Sequence, residues 1–195
     1  MPPIDTSALA AIFTWVWNQY GRTIATKTAK TGWERVRWEN RAMAYARKIH
    51  RLYGTMQILG QAKPIPLEGI FTAIRLLDKL QADFTGRGSR NLHAIAGVAS
   101  HDGLDMVRSN HNLFILGKPG AGKTTFLKYL ALKGVSGELE RVPVFISLKQ
   151  LSDSRLALFD FIVTEFNVCD FPDAASYLDR LLKAGKAIVL LDGLD

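Results

Sequence analysis

The clearest chemistry in this sequence lies in Gly117-Lys118-Pro119-Gly120-Ala121-Gly122-Lys123-Thr124, which fits the pattern G-x-x-x-x-G-K-[ST]. Gly120 and Gly122 let the backbone close tightly around an anion. The loop N–H groups and the start of the following helix present partial positive charge to a β-phosphate. Lys123 reaches toward β- and γ-phosphate oxygens, and the Thr124 hydroxyl is the type of ligand that Mg²⁺ takes in such loops. Thr125 stands next in line, on the side of the α-phosphate. A glycine turn that merely caps a helix would account for the glycines. It would not account for Lys-Thr set between an apolar segment and an amphipathic one.

A second element is placed to serve the first. Ala187-Ile188-Val189-Leu190-Leu191-Asp192 is an apolar run that ends in an acid. A phosphate-binding loop needs a carboxylate beside it to hold Mg²⁺ through water. Asp192-Gly193 on its own is also a common turn pair. Its position well downstream of the loop, with one further strand between, is what gives it weight.

These residues need a frame. From His111 onward the chain alternates short apolar runs with helical periodicity. Strands are expected over 112–116, 142–148 and 187–191, and helices over 124–132, 156–166 and 174–184. Uniformly apolar short strands suit a parallel sheet covered on both faces. Upstream, Trp38, Ala42, Tyr45, Ile49 and Leu52 recur at spacings of four and three, which predicts a helix over 33–53 ended by Gly54. Arg37, Arg41, Lys48 and Arg51 form a basic ridge beside that stripe. The segment 60–66, with two prolines, must be extended or turned. Residues 67–80 fit either strand or helix, 92–107 reads as helical, and Gly86-Arg87-Gly88-Ser89 marks a loop.

Composition removes several classes. The single cysteine, Cys169, excludes a disulfide framework and a cysteine-based zinc site, and suits a reducing, cytoplasmic setting. The four histidines are scattered without ligand spacing. The most apolar early stretch, 8–17, is about half the roughly 20 residues that a membrane span needs. Residues 1–51 hold nine Lys and Arg against three acids, so six of the net +7 charges lie there. Nucleic acid is a conceivable partner for such a segment, but no recognition motif accompanies the charge, and a solvated helix face explains it better.

The motifs together resemble a known family. Gly117–Thr125, then Val144-Phe145-Ile146-Ser147-Leu148, then Leu190-Leu191-Asp192-Gly193-Leu194-Asp195 look like the NACHT family, which belongs to the STAND class of signal-transducing P-loop ATPases. Gly193 separates the chain from ordinary AAA-type ATPases, which resemble Asp-Glu at that place. Gly54–Gly60 and Ile65-Pro66-Leu67-Glu68 are similar to the segment before the ATPase in bacterial NACHT proteins. The resemblance implies an α/β fold. It consists of a P-loop NTPase parallel sheet, incomplete here, preceded by an N-terminal mainly helical region. The expected division is 1–86 for the helical region, 87–110 for a linker and helix, and 111–195 for the NTPase core.

What the resemblance implies in function is a nucleotide-dependent oligomerisation switch that binds ATP or ADP with Mg²⁺, self-associates or meets a protein trigger, and in bacteria is associated with defence against phage. Gly117–Thr125 would bind the nucleotide, Thr124 and Asp192 the metal, and Asp195 would orient the attacking water. In the family another acid, further strands, a sensor residue, a winged helix and a C-terminal array follow. The chain stops at Asp195, so a truncated product that binds nucleotide with little turnover is expected. No Asn-Lys-x-Asp motif is present, which favours ATP over GTP. The competing readings are another P-loop ATPase or kinase, and an interaction module whose nucleotide site is structural.

Overall fold

The computed structural model describes residues 32–57, 60, 62–70, 75–77, 100–169, 171 and 173–193; of residues 32–39 only the backbone is described. The elements in chain order are α1 (Gly32–Tyr53), β1 (Thr55–Met56), β2 (Ile65–Pro66), α2 (Leu67–Ile70), β3 (Arg75–Leu77), β4 (Ser100–Asp102) and α3 (Gly103–Ser109). They continue with α4 (Lys123–Val135), β5 (Val142–Ser147), α5 (Leu148–Ser154), α6 (Leu158–Asn167), α7 (Ala174–Lys183) and β6 (Ala187–Asp192). The described residues up to Ile70 and from Pro119 on form one compact unit, and those between Phe71 and Lys118 form the other.

The first unit is built on β5 and β6, a parallel pair running in register from Val142 opposite Ala187 to Ser147 opposite Asp192. Both strands end together, so Ser147 and Asp192 form the last rung. The Val142 N–H donates to the Lys186 carbonyl across the pair. Backbone groups of 142, 144 and 146 therefore point at β6, and those of 143, 145 and 147 point at the opposite edge. Pro143, which has no N–H to offer, falls on that outer edge, the position a strand tolerates.

Helix α4 lies on the face that carries Pro143, Phe145 and Ser147. It approaches closely because residue 134 is glycine. A Cβ there would meet the Pro143 ring atoms at 2.9 and 3.0 Å. The other face of β5, with Val142, Val144 and Ile146, is buried, as are Phe161, Ile162 and Phe166 of α6 and Tyr177, Leu178 and Leu181 of α7.

Helix α1 covers the outer edge. It buries Ala42, Tyr45, Ala46 and Ile49. The Tyr45 hydroxyl donates to the Pro143 carbonyl at 2.6 Å, across 98 residues of sequence, and its ring stacks on Phe166 at 4.5 Å. An uncovered edge would leave that carbonyl row open to pairing with another chain. Lys48 donates to both the carbonyl (3.1 Å) and the carboxylate (2.8 Å) of Glu165 on α6. The helix stops at Gly54, whose N–H reaches the His50 carbonyl at 2.8 Å. A Cβ on residue 54 would collide with that same oxygen. Beyond it, β1 and β2 pair antiparallel. Leu67 is buried on α2, and Glu68 faces Lys133 of α4 at 3.7 Å.

The second unit contains β3 paired antiparallel with β4, followed by α3. Asp102 caps α3, its carboxylate accepting from the N–H groups of Leu104 and Asp105.

The helices expected over 33–53, 124–132 and 174–184 and the strands over 142–148 and 187–191 are all present. Four expectations need correction. Residues 112–116 form no strand; Phe114 and Leu116 are 80% and 67% exposed. A strand exists only where a neighbour takes its N–H and C=O groups, and this segment has no ladder. The helix expected over 156–166 begins at Leu158 and is preceded by a separate helix, α5. The break is made by Arg155 at φ 56° and by Ser154, whose hydroxyl accepts from the Leu156 N–H at 3.2 Å. Of the helix expected over 92–107, Ser100–Asp102 is strand β4 instead, and the helix that covers the rest begins at Gly103, where the Asp102 cap sets its N-terminus; 92–99 and Gly86–Ser89 lie outside the described residues. On α1, Leu52 is 53% exposed, whereas Lys48 leaves the expected basic ridge to pair with Glu165.

Candidate functional site

The loop runs out of a segment without strand or helix. Gly117 and Lys118, the last residues of the second unit, are exposed, as are Pro119, Gly120 and Ala121 at the start of the first. Gly120 has φ 78° and Gly122 φ 86°, with nothing within 4 Å of either would-be Cβ. These glycines therefore serve backbone conformation, not packing space: left-handed φ is what residues with a Cβ resist. Gly122 is the N-cap of α4, and its carbonyl accepts from the Phe126 N–H at 2.8 Å. Lys123, Thr124 and Thr125 thus form the first turn of a thirteen-residue helix. The N–H groups of that turn have no intrahelical acceptor.

The helix is anchored at its far side. Phe126, Leu130, Ala131 and Val135 are buried, which leaves Thr124 on the exposed side of the first turn. There its hydroxyl donates to Oδ1 of Asp192 at 2.8 Å. Two residues 68 apart in sequence are brought together because α4 and the end of β6 share one face of the sheet. A hydroxyl and a carboxylate oxygen in contact form an all-oxygen donor pair suited to Mg²⁺, which keeps several waters and accepts phosphate oxygens for the rest. Among the described residues no group of three or more His, Cys, Asp or Glu is assembled as a metal cage. A site of this kind needs none, because substrate phosphates complete the shell.

Tyr53, at the end of α1, packs against Phe145 with ring centroids 4.5 Å apart. Its phenol is pushed up to about 12, first by burial and then by the charges of Glu165 and Asp192. Asp192 is therefore within electrostatic reach of α1. Neither Tyr53 nor Ser147 stands out in the sequence as a neighbour of the loop. Only the strand register puts Ser147 beside Asp192. Cys169, read as a packing residue, is buried, and burial raises its thiol despite the nearby Lys48. Asp195 lies outside the described residues.

Glycine-led loop, helix and acid-ended strand are thus in place, and comparison with family models extends over all three. Residues 111–195 match the family model of the NACHT domain. The NACHT match starts just before the loop and ends with the acidic strand, so it covers α4 to β6. The match and the parallel pair β5–β6 are consistent with an incomplete P-loop NTPase α/β fold over this part of the chain. Comparison with curated proteins and with solved structures gives no match. No helix among the described residues is long and apolar enough to cross a membrane.

Proposed function

We propose that the NACHT domain binds ATP or ADP together with Mg²⁺, and that in the protein it serves as a nucleotide-dependent switch. The observation that carries the binding reading is the 2.8 Å hydrogen bond from Thr124 to Asp192. It joins the hydroxyl of the loop to the acid of the strand, the two side chains such a metal needs. Gly117 to Gly122 would wrap the phosphates with backbone N–H groups. Lys123 would neutralise β- and γ-phosphate charge, and Thr125 would approach the α-phosphate. Thr124 and Asp192 would hold Mg²⁺, one directly and the other through water. The bound metal would screen the charge of the phosphate oxygens; every other contribution is made by the chain.

The finer reading rests on the resemblance of Gly117–Thr125 and Leu190–Asp195 to the family: self-association governed by nucleotide, a protein trigger, a cytoplasmic location and a role in defence signalling. Asp195 is proposed as the acid that orients water, with slow turnover by this chain alone. Calorimetric titration with ATP and ADP in Mg²⁺, on the wild type and on Lys123→Ala, tests the binding reading. Saturable binding lost in the variant is the expected result; equal heats from both proteins would overturn it. Light scattering in ATP against ADP tests the switch, which requires a change in size.

A further inference from the structure

The register of the sheet brings a second hydroxyl to the candidate metal end. Ser147 is the Cα partner of Asp192 on the last rung of β5 and β6. In a parallel pair, residues opposite one another project to the same face, so both side chains leave the sheet on the side of α4. The backbone groups of Ser147 point to the outer edge, away from β6. Its side chain is then the one polar group that β5 offers to Asp192.

Among the described residues, the two carboxylate oxygens of Asp192 differ in their hydrogen bonds. Oδ1 accepts from Thr124. A carboxylate held through one oxygen pivots about that contact, and a donor to its second oxygen fixes its plane. Ser147 carries such a donor. Its oxygen accepts from the Gln150 N–H as the N-cap of α5, at 3.5 Å. That contact uses a lone pair and leaves the hydroxyl proton for another partner. The raised phenol of Tyr53, which feels Asp192 from across Phe145, agrees with a row running Thr124, Asp192, Ser147, Phe145, Tyr53 along this face.

We infer that Ser147 is a positioning residue of the nucleotide site: its hydroxyl, which makes no hydrogen bond to Asp192 in this structure, turns to donate to that carboxylate when the metal binds, so that the group meets the metal in a fixed orientation. The inference rests on the proposed Mg²⁺-nucleotide reading and goes beyond it in naming a residue outside the loop and the acidic strand end. Its role is confined to the metal: Ser147 contributes to affinity only when Mg²⁺ is present.

The test is the ratio of ADP affinity in Mg²⁺ to that in EDTA, measured by calorimetry on the wild type, Ser147→Ala, Ser147→Gly and Ser147→Thr. Glycine serves almost as well as serine at an N-cap, so Ser147→Gly removes the hydroxyl while sparing the start of α5. The ratio is expected to fall about three- to tenfold in the Ala and Gly variants, the worth of one such hydrogen bond. Affinity in EDTA should stay unchanged, and Ser147→Thr should restore the ratio. A wild-type ratio in Ser147→Gly overturns the inference while leaving nucleotide binding intact. Equal loss in Mg²⁺ and EDTA, with a lower melting temperature, also overturns it, because that is the signature of a cap alone. A wild type that binds no ADP in either condition overturns this inference and the nucleotide reading together.

Discussion

Replacing Tyr45 by phenylalanine asks whether α1 is part of the core or an accessory to it. The tyrosine is 3% exposed, and its hydroxyl satisfies the Pro143 carbonyl on the outer edge of β5 at 2.6 Å. Phenylalanine keeps the stack on Phe166 and the edge contact to Phe171 at 6.3 Å, so little apolar burial changes. What is lost is one buried hydrogen bond, with a carbonyl left without its partner. Such a loss costs about 1–3 kcal/mol. A cavity of about 20 Å³ lies beside Tyr45, Lys48 and Glu165, room for about one water. Recruitment of a water there would hold the cost near the lower bound. For a chain of this size each kcal/mol lowers the melting temperature by roughly 2–4 °C. Urea unfolding of wild type and Tyr45→Phe gives the difference directly. A change below about 0.5 kcal/mol, the scatter of ordinary surface substitutions, would refute the claim that α1 seals the sheet edge.

Other outcomes follow from the same contacts. Gly134→Ala should destabilise by about 1–3 kcal/mol, since its Cβ would meet the rigid Pro143 ring at 2.9 Å; an unchanged urea midpoint would mean α4 does not approach β5 so closely. Stability should also fall in alkali. Burial holds the phenols of Tyr45 and Tyr177 well above 10 and, with the charges of Glu165 and Asp192, pushes Tyr53 up to about 12. Unfolded tyrosines ionise near 10. Above that pH the unfolded chain has released protons that the native state keeps, so stability fully present below pH 10 is lost as pH rises toward the folded values. Urea midpoints measured from about pH 8 to about pH 11 should decline, and less so in Tyr45→Phe; a flat profile would contradict the burial of these phenols.

The parts of the site that were legible in the sequence are those imposed by local backbone and periodicity. Gly120 and Gly122 adopt the positive φ that their type suggests. The mostly apolar run at 142–148 and the uniformly apolar run at 187–191 form the parallel pair, and the helix after the loop buries Phe126, Leu130 and Val135 at helical spacing. What escaped is non-local or capped by a single side chain. Tyr45 meeting Pro143 and Lys48 meeting Glu165 span 98 and 117 residues, and no periodicity encodes such pairs. Asp102 and Ser154 set helix boundaries through one carboxylate and one hydroxyl, which hydrophobic pattern does not register. Segment 112–116 has the composition of a strand, but a strand also requires a neighbour, and composition says nothing of neighbours.

The most direct test of the account is whether Thr124 and Asp192 hold a metal that arrives with nucleotide. Mn²⁺ in place of Mg²⁺ reports this by electron paramagnetic resonance, because its free signal falls as it binds. In the presence of ADP the protein should take up one Mn²⁺. Thr124→Ala and Asp192→Asn should each weaken that uptake about tenfold or more, in keeping with the loss of one metal-linked group. Uptake that is the same in all three proteins, or that does not depend on ADP, would contradict it.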